Sequence, residues 1–359
     1  MPRPKKTPDT AAMLEAARLY YEKELPKQKI AQRLGIDARE VTWLLNEARR
    51  LRLVRIDILA MAEGELEQKL RGKFPHLEKT LIVSGPPITT ADQYSRMLRK
   101  WALVAADYFN ELVDHHARSK PLHVGISGGE TLLEFVNAVP ERVRPNVYIH
   151  TTALVGHGRL HKAANHILPI VNASVLWSRC GRLPGNHVEY ATVPPYDVAK
   201  PGAEARAAVE AELDKLAANR PIREVIEAMN GLDVAFAGIG MVNPKATPAL
   251  RNRISMTGLL HSIVTPDQLE AEGAIADFSY NLIDGEGRSK EKWRFFLTAG
   301  HYTDHPGLAF FQRMVATGRK VVAIAGAHKI PAIKAALAAK AFNVWITDQH
   351  SAEALATAR

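Results

Sequence analysis

The chain has 359 residues, 47% hydrophobic and 24% charged. This is ordinary globular usage, which excludes disorder over the whole length and fits two units of about 100 to 200 residues each. No run approaches the roughly 20 apolar residues of a membrane span, and Met1-Pro-Arg-Pro-Lys-Lys6 lacks the apolar segment of a secretory signal. One cysteine, Cys180, excludes an internal disulfide or a cysteine-rich zinc site, so a cytoplasmic protein with no membrane contact is expected. The net charge is +9, and its surplus is concentrated early: residues 1–60 hold 13 basic and 8 acidic side chains, against 34 and 30 in the much longer remainder. A basic amino-terminal segment favours approach to a polyanion such as nucleic acid.

Helices are predicted in that segment from its spacing. Ala11 to Glu24 reads as an amphipathic helix, with Thr10 available as its cap. A short helix then follows, with Pro26 in its first turn and Ile30, Ala31 and Leu34 as its buried stripe, and Gly35 ends it. Asp37 can cap a third helix, Ala38 to Arg50, whose inner face is Val41, Leu44, Leu45 and Ala48. A small residue four before a turn glycine and ten before Val41 is helix-turn-helix spacing, because the small side chain lets two helices cross closely. The third helix then turns Arg39, Glu40, Thr42, Trp43 and Asn46 outward, where a recognition helix meets base edges. Arg49, Arg50, Arg52 and Arg55 then lie near phosphates, which Lys27, Arg49 and the Lys5-Lys6 tail should mainly neutralise. Val54 to Ile58 reads as half of a wing. A helical hairpin used only for packing or dimerisation is the competing reading. The candidate DNA-binding residues are Lys27, Gln28, Asp37, Arg39, Glu40, Thr42, Trp43 and Arg49.

Residues 61–73 read as a charged linker helix, placing the boundary between a domain at 1–60 and one at 74–359. Beyond it, short apolar runs alternate with helical runs. The predicted strands are 80–84, 123–127, 147–152, 234–239, 321–325 and 344–347, and the predicted helices are 91–117, 130–138 and 331–341. Such alternation implies an α/β domain with a mainly parallel sheet.

Ligands in open parallel sheets bind beyond the carboxyl ends of the strands, so the strand-to-helix loops are the candidate sites. In Gly125-Ile-Ser-Gly-Gly-Glu-Thr131 a strand runs into glycines and then a helix N-terminus, a nest that attracts an anion, with hydroxyls at Ser127 and Thr131. It lacks the lysine of a Walker loop and the glycine spacing of a dinucleotide fingerprint. The same residues satisfy Gly-x-Ser-x-Gly, the nucleophile elbow of hydrolases, for which Asp277 and His301 would have to complete a triad, and a purely structural glycine turn is a third reading. The strand ending at Gly240 supplies a second loop. The third loop ends at Lys329, placed to send an ammonium toward the ligand of the Gly125 loop. Asp277, after a small-residue turn, can accept hydrogen bonds from sugar hydroxyls, and Arg159 in a glycine loop can touch an anionic ligand. His157, His161 and His166, with His301 and His305, lack a carboxylate at convincing ligand spacing, so neither a metal nor a cofactor is expected.

These residues together resemble the SorC family of bacterial sugar-responsive transcriptional regulators. The resemblance rests on Tyr20-Tyr21, Ile30-Ala31, Leu34-Gly-Ile36, Val41-Thr-Trp-Leu-Leu45 and Val54-Arg-Ile56 in the first unit. In the second it rests on Gly125 to Thr131, Gly273 to Asp277 with Asp284-Gly285, Ala325 to Lys329, and Asn343 to Asp348. The resemblance implies an N-terminal winged helix-turn-helix and a phosphosugar-isomerase-like α/β effector domain without turnover. It also implies operator DNA and a phosphorylated sugar as partners, and a homo-oligomer, a dimer or tetramer. The effector-binding residues then expected are Gly125, Ser127, Gly128, Gly129, Thr131, Arg159, Gly240, Asp277 and Lys329. Glu130 stands where many relatives carry a basic residue, and an acid there repels a dianion unless it points away. A sugar-phosphate isomerase or deaminase with a DNA-binding appendage is the enzymatic alternative, with Asp277 and a histidine as its only acid–base candidates.

Overall fold

The computed structural model describes residues 9–51, 53–54, 61, 64–116, 120–141, 147–155, 169–180, 187–189, 211, 213–216, 218–255, 265–290, 298–300 and 304–358. The predicted strand at 54–58, Arg159, the histidines at 157, 161, 166 and 301, and Arg52 and Arg55 lie wholly or mostly outside these residues. The chain divides into two compact units, Met1–Ile58 and Leu59–Arg359.

In the first unit, α1 (Thr10–Ala17) runs into a π-helical turn over Arg18–Glu22, followed by α2 (Lys27–Leu34) and α3 (Ala38–Arg50). Asp9, not Thr10, caps α1, its carboxylate accepting from Ala11 N–H at 3.0 Å, and Pro26 stands at the cap position of α2. Gly35 closes α2 at φ 66°, a left-handed conformation that costs glycine nothing, and its N–H donates to Ala31 O. Asp37 caps α3 by accepting from Glu40 N–H at 2.7 Å. Met13, Ala16, Leu19, Ile30, Ala31, Val41, Leu44, Leu45 and Ala48 form the core, so the apolar spacing and the tight turn act together.

The second unit is built on a sheet with the strand order β1-β9-β8-β5-β2-β3-β4. Its strands are β1 (Lys79–Val83), β2 (Leu122–Ile126), β3 (Ile149–Ala153), β4 (His187–Glu189), β5 (Val234–Met241), β8 (Lys320–Ile324) and β9 (Val344–Asp348), all paired in parallel. An antiparallel hairpin, β6 (Ala274–Phe278) and β7 (Asn281–Asp284), joins the far end of β5. The surrounding helices are α4 (Gly64–Lys73), α5 (Ala91–His115), α6 (Glu130–Ala138), α7 (Pro169–Arg179), α8 (Arg220–Ala228), α9 (Pro248–Ile254), α10 (Pro266–Ala271), α11 (Leu308–Ala316), α12 (Ile330–Ala338) and α13 (Gln349–Thr357). Both faces of the sheet are buried. On β5, Val234 and Phe236 join the cluster that contains Phe109, Leu132 and Phe135, while Ala235, Ala237 and Ile239 join that of Phe278, Phe311 and Phe342. Strands covered on both sides lose polar alternation, which is why they read as continuous apolar runs.

The strand order carries the functional geometry. From β2 the chain steps outward to β3 and β4, and from β5 it steps the opposite way to β8 and β9. The crevice between β2 and β5 is therefore the topological switch point, and its carboxyl end is the site this architecture offers a ligand.

Two late motifs interlock beside it. The Asp348 carboxylate accepts from Ala327 N–H at 2.7 Å and from Ser351 N–H at 2.9 Å, capping α13 while fixing the loop after β8. A Cβ on Gly326 would stand 2.0 Å from Asp348 Oδ2 and 2.6 Å from Trp101, so only glycine fits there. Cys180 is buried just beyond α7. Gly326→Ala is expected to lower the unfolding free energy of this unit by about 1 to 3 kcal/mol, by overpacking a site with no room to relax. Urea unfolding followed by far-ultraviolet circular dichroism measures it.

Candidate functional site

At the carboxyl end of β2, Ser127 turns out of the strand with its N–H donating to Phe236 O on β5 at 3.0 Å. Gly125 is fixed by packing, since a Cβ there would lie 2.5 Å from Leu154 and 2.7 Å from Leu232. Gly128 is buried, and Gly129 adopts φ 100° and ψ 161°, a conformation reserved for glycine, as it caps α6. The first-turn N–H groups of α6 thus open beside the loop, the arrangement that receives anions. The Thr131 hydroxyl is hydrogen-bonded to Tyr94 on α5.

Asn172, missed in the sequence reading, holds this loop. It is 0% exposed and donates from Nδ2 to Ser127 O at 3.0 Å and to Gly129 O at 3.3 Å. Its Oδ1 has no partner among the described residues. Nothing in the 169–179 run advertises this asparagine, because it acts across 45 residues of sequence.

Asp277 follows a turn at Gly273, φ 79°, as its sequence suggests. It lies within β6, paired with Gly240 of β5, and is 2% exposed. One carboxylate oxygen accepts from Tyr280 N–H at 3.2 Å, and the other has no partner among the described residues. Burial pushes this carboxyl up to about 6, with the Tyr280 N–H and Lys329 opposing the rise. The β6–β7 turn carries Ser279 and Tyr280 at φ 46° and 69°. Such positive φ at two residues with side chains costs of order 1 kcal/mol or more each. The turn is held by Asn281 Nδ2, which donates to Phe278 O and Ser279 O at 3.1 and 3.0 Å. Its product is the Ser279 hydroxyl, which donates to Ser127 Oγ at 3.1 Å and ties the hairpin to the glycine loop. The partner of Ser127 is thus a second serine, not the imidazole that a nucleophile elbow needs.

Lys329 closes the arrangement. It is 6% exposed, and its ammonium donates to Ile239 O on β5 at 2.7 Å. Burial lowers it to about 8, while the charges of Asp277 and then Glu130 pull the other way. Lys329 therefore lies within electrostatic reach of both the hairpin acid and the first residue of α6. Glu130 itself is bound by Arg253 of α9: Nε donates to one carboxylate oxygen at 3.1 Å and Nη2 to the other. The structure thus brings Ser127, Gly128, Gly129, Thr131, Gly240, Asp277 and Lys329 to one end of the switch-point crevice, while Arg159 lies outside the described residues. No group of three or more His, Cys, Asp or Glu side chains among the described residues is placed to hold a metal.

In the first unit Arg39, Asn46 and Arg49 are exposed along α3, with Gln28 exposed on α2. Trp43 is not turned outward as its position predicted: it is half-buried and packs against the core of this unit, because the apolar stripe of α3 is wide enough to reach it. Thr42 spends its hydroxyl on Ala38 O at 3.0 Å, and Arg49 Nε donates to the Tyr21 hydroxyl at 2.9 Å. Lys27 lies over the Tyr20 ring at 5.9 Å, so both tyrosines position cations.

The comparisons agree with this fold. Residues 205–357 match the family model Sugar-bind, described as "Putative sugar-binding domain". The chain is 23% identical over 348 residues to the deoxyribonucleoside regulator of Bacillus subtilis (strain 168), covering 95% of this chain and 96% of that protein. The full-length sorbitol operon regulator SorC of Klebsiella pneumoniae superposes with a TM-score of 0.58 at 19% identity, over 97% of this chain and 99% of that one. The chain has the fold of the SorC-type regulators. A DeoR family transcriptional regulator from Listeria monocytogenes is similar at TM-score 0.58 and 20% identity, covering 81% of this chain and 98% of that one. These proteins are named as regulators, which leaves the isomerase and hydrolase readings without support.

Keeping a lysine in this crevice has a stability cost whose sign can be tested. A lysine lowered from 10.5 to about 8 destabilises the fold at every pH below about 8, and that penalty is relieved as the pH rises toward 10.5. Lys329→Met removes that titration, so the wild type is expected to gain unfolding free energy relative to the variant as the pH rises from 8 to 10. Urea titrations across that range measure it.

Proposed function

We propose that this chain is a cytoplasmic DNA-binding transcriptional regulator of the SorC type, whose operator affinity is set by a phosphorylated sugar held in the switch-point crevice. The observation that carries this reading is the meeting of a buried ammonium, a buried carboxylate with one unpaired oxygen, and a glycine-capped helix N-terminus at one end of the sheet. The helix N-terminus, the Thr131 hydroxyl and Lys329 form a phosphate pole, and Asp277 forms a hydroxyl-accepting pole for the sugar. The function is read as capture without turnover because the similar proteins are named as regulators.

On the DNA side, Arg39 at the start of α3 reads base edges. Arg49 and Lys27, braced by Tyr21 and Tyr20, neutralise phosphates. A homo-oligomer, a dimer or tetramer, would present two recognition helices about 34 Å apart to paired half-sites, and the effector would bias that spacing. The domain limits follow the same division: DNA binding by residues 1–60, a connecting helix at 61–73, and effector binding by 74–359.

Two tests follow from the two poles. A thermal-shift screen of the full chain against pentose and hexose phosphates should raise the melting temperature for a subset of them. Lys329→Met and Thr131→Ala should remove that shift while leaving operator affinity within about threefold of wild type, as measured by fluorescence anisotropy. Retention of full ligand response by both variants would place the pocket elsewhere. In the same assay Arg39→Ala should reduce the preference for operator over random duplex by about 1 to 3 kcal/mol. Arg49→Ala should weaken both duplexes alike and flatten the salt dependence by about one counterion.

A further inference from the structure

Glu130 is the first residue of α6, so its carboxylate belongs where the helix N-terminus is most positive and where the proposed phosphate sits. Left to itself, that carboxylate would occupy the anion position and repel a dianion arriving there. It is not left to itself. Arg253 binds both carboxylate oxygens through Nε and Nη2, a two-pronged match that fixes orientation as well as charge. The remaining Arg253 nitrogen reaches away from the crevice: Nη1 donates to the Ser95 hydroxyl and, at 3.4 Å, to Ala91 O, both in the first turns of α5. The guanidinium also lies over the Tyr94 ring at 5.1 Å, and Tyr94 is the partner of Thr131. Arg253 is three-quarters buried, so solvent screens the pair only in part.

We propose that the Glu130–Arg253 ion pair, anchored on α5, is a charge lock that keeps the glycine loop open to a dianionic phosphate ester, with Arg253 as a positioning residue. The inference rests on the anion-binding reading of this loop and specifies how a chain with an acid in the loop can hold a dianion at all. The lock draws the carboxylate toward α5 and cancels its charge. Lys329, which also feels Glu130, is then available to the ligand instead of serving as the counter-ion of that acid. Independent polar groups beside the loop also lack partners: Asn172 Oδ1 and Asp277 Oδ1 are buried and unpartnered among the described residues, and as acceptors they suit the hydroxyls of a sugar ester and not its phosphate. Without Arg253, Glu130 turns back to the α6 N-terminus and to Lys329, and the loop becomes self-filled.

The test is a rescue. Wild type, Arg253→Met, Glu130→Gln and the double variant are compared as full chains by thermal shift and calorimetric titration. The probes are inorganic phosphate, inorganic sulfate as a fixed dianion, and the panel of sugar phosphates. Methionine keeps an apolar stem against Tyr94, and the ligand-free melting temperature identifies any variant that has lost its fold. Arg253→Met is expected to weaken dianion binding at least tenfold, Glu130→Gln to leave it equal or tighter, and the double variant to return within threefold of wild type. A merely structural arginine would give a double variant no better than Arg253→Met. That result, or an Arg253→Met variant that binds as wild type does, overturns the lock while the anion site stands. A wild type indifferent to every probe overturns the anion reading and the lock with it.

Discussion

The ammonium of Lys329 has to be kept out of water without being left alone, and much of the surrounding structure follows from that requirement. An ion removed from solvent must find hydrogen bonds and compensating charge, or it gives up its proton. Here it receives the Ile239 carbonyl at 2.7 Å and the field of Asp277, itself buried on the neighbouring hairpin. The loop that delivers the lysine can be formed only with glycine at 326, and Asp348 ties its backbone to the next helix. On the opposite side, the hairpin that delivers the acid turns through two residues at positive φ. Strain, a buried acid and a buried base are collected within one crevice, while the sheet beneath is packed with apolar side chains on both faces. That division of labour is the usual sign of a site that trades stability for recognition.

The amino-terminal unit obeys a different economy. Its core is small, and its geometry comes from local devices: the aspartate caps of α1 and α3 and the left-handed glycine between α2 and α3. Aromatic residues do two jobs there. Tyr20 and Tyr21 border the core while holding Lys27 and Arg49 in place. A cation already ordered in the free protein loses less freedom when it meets a phosphate, so pre-positioning favours binding without adding a contact.

The legible parts of this molecule in the sequence are those encoded by short-range pattern. Helix α6, the helix-turn-helix spacing and six of the parallel strands could be read to within a residue or two, because each is set by apolar period, glycine or a cap. The β6–β7 hairpin could not, since its turn is Ser279-Tyr280 where hairpin chemistry calls for glycine or asparagine. Glycine loop, lysine and acid were each visible, but the groups that orient them were not. Asn172, Tyr94, Ser279 and Arg253 come from four separate segments, and their roles exist only once the strand order brings β2 beside β5. Trp43 shows the reverse error, where a helical wheel cannot say how far an apolar stripe extends around its helix.

The lone cysteine offers a built-in clock for this crevice. Cys180 is sealed immediately past the helix whose Asn172 grips the Ser127 and Gly129 carbonyls. A thiol reagent can capture its sulfur only when that part of the fold opens, so the capture rate reads the local breathing of the helix behind the glycine loop. The chain has no second sulfhydryl to confuse the signal.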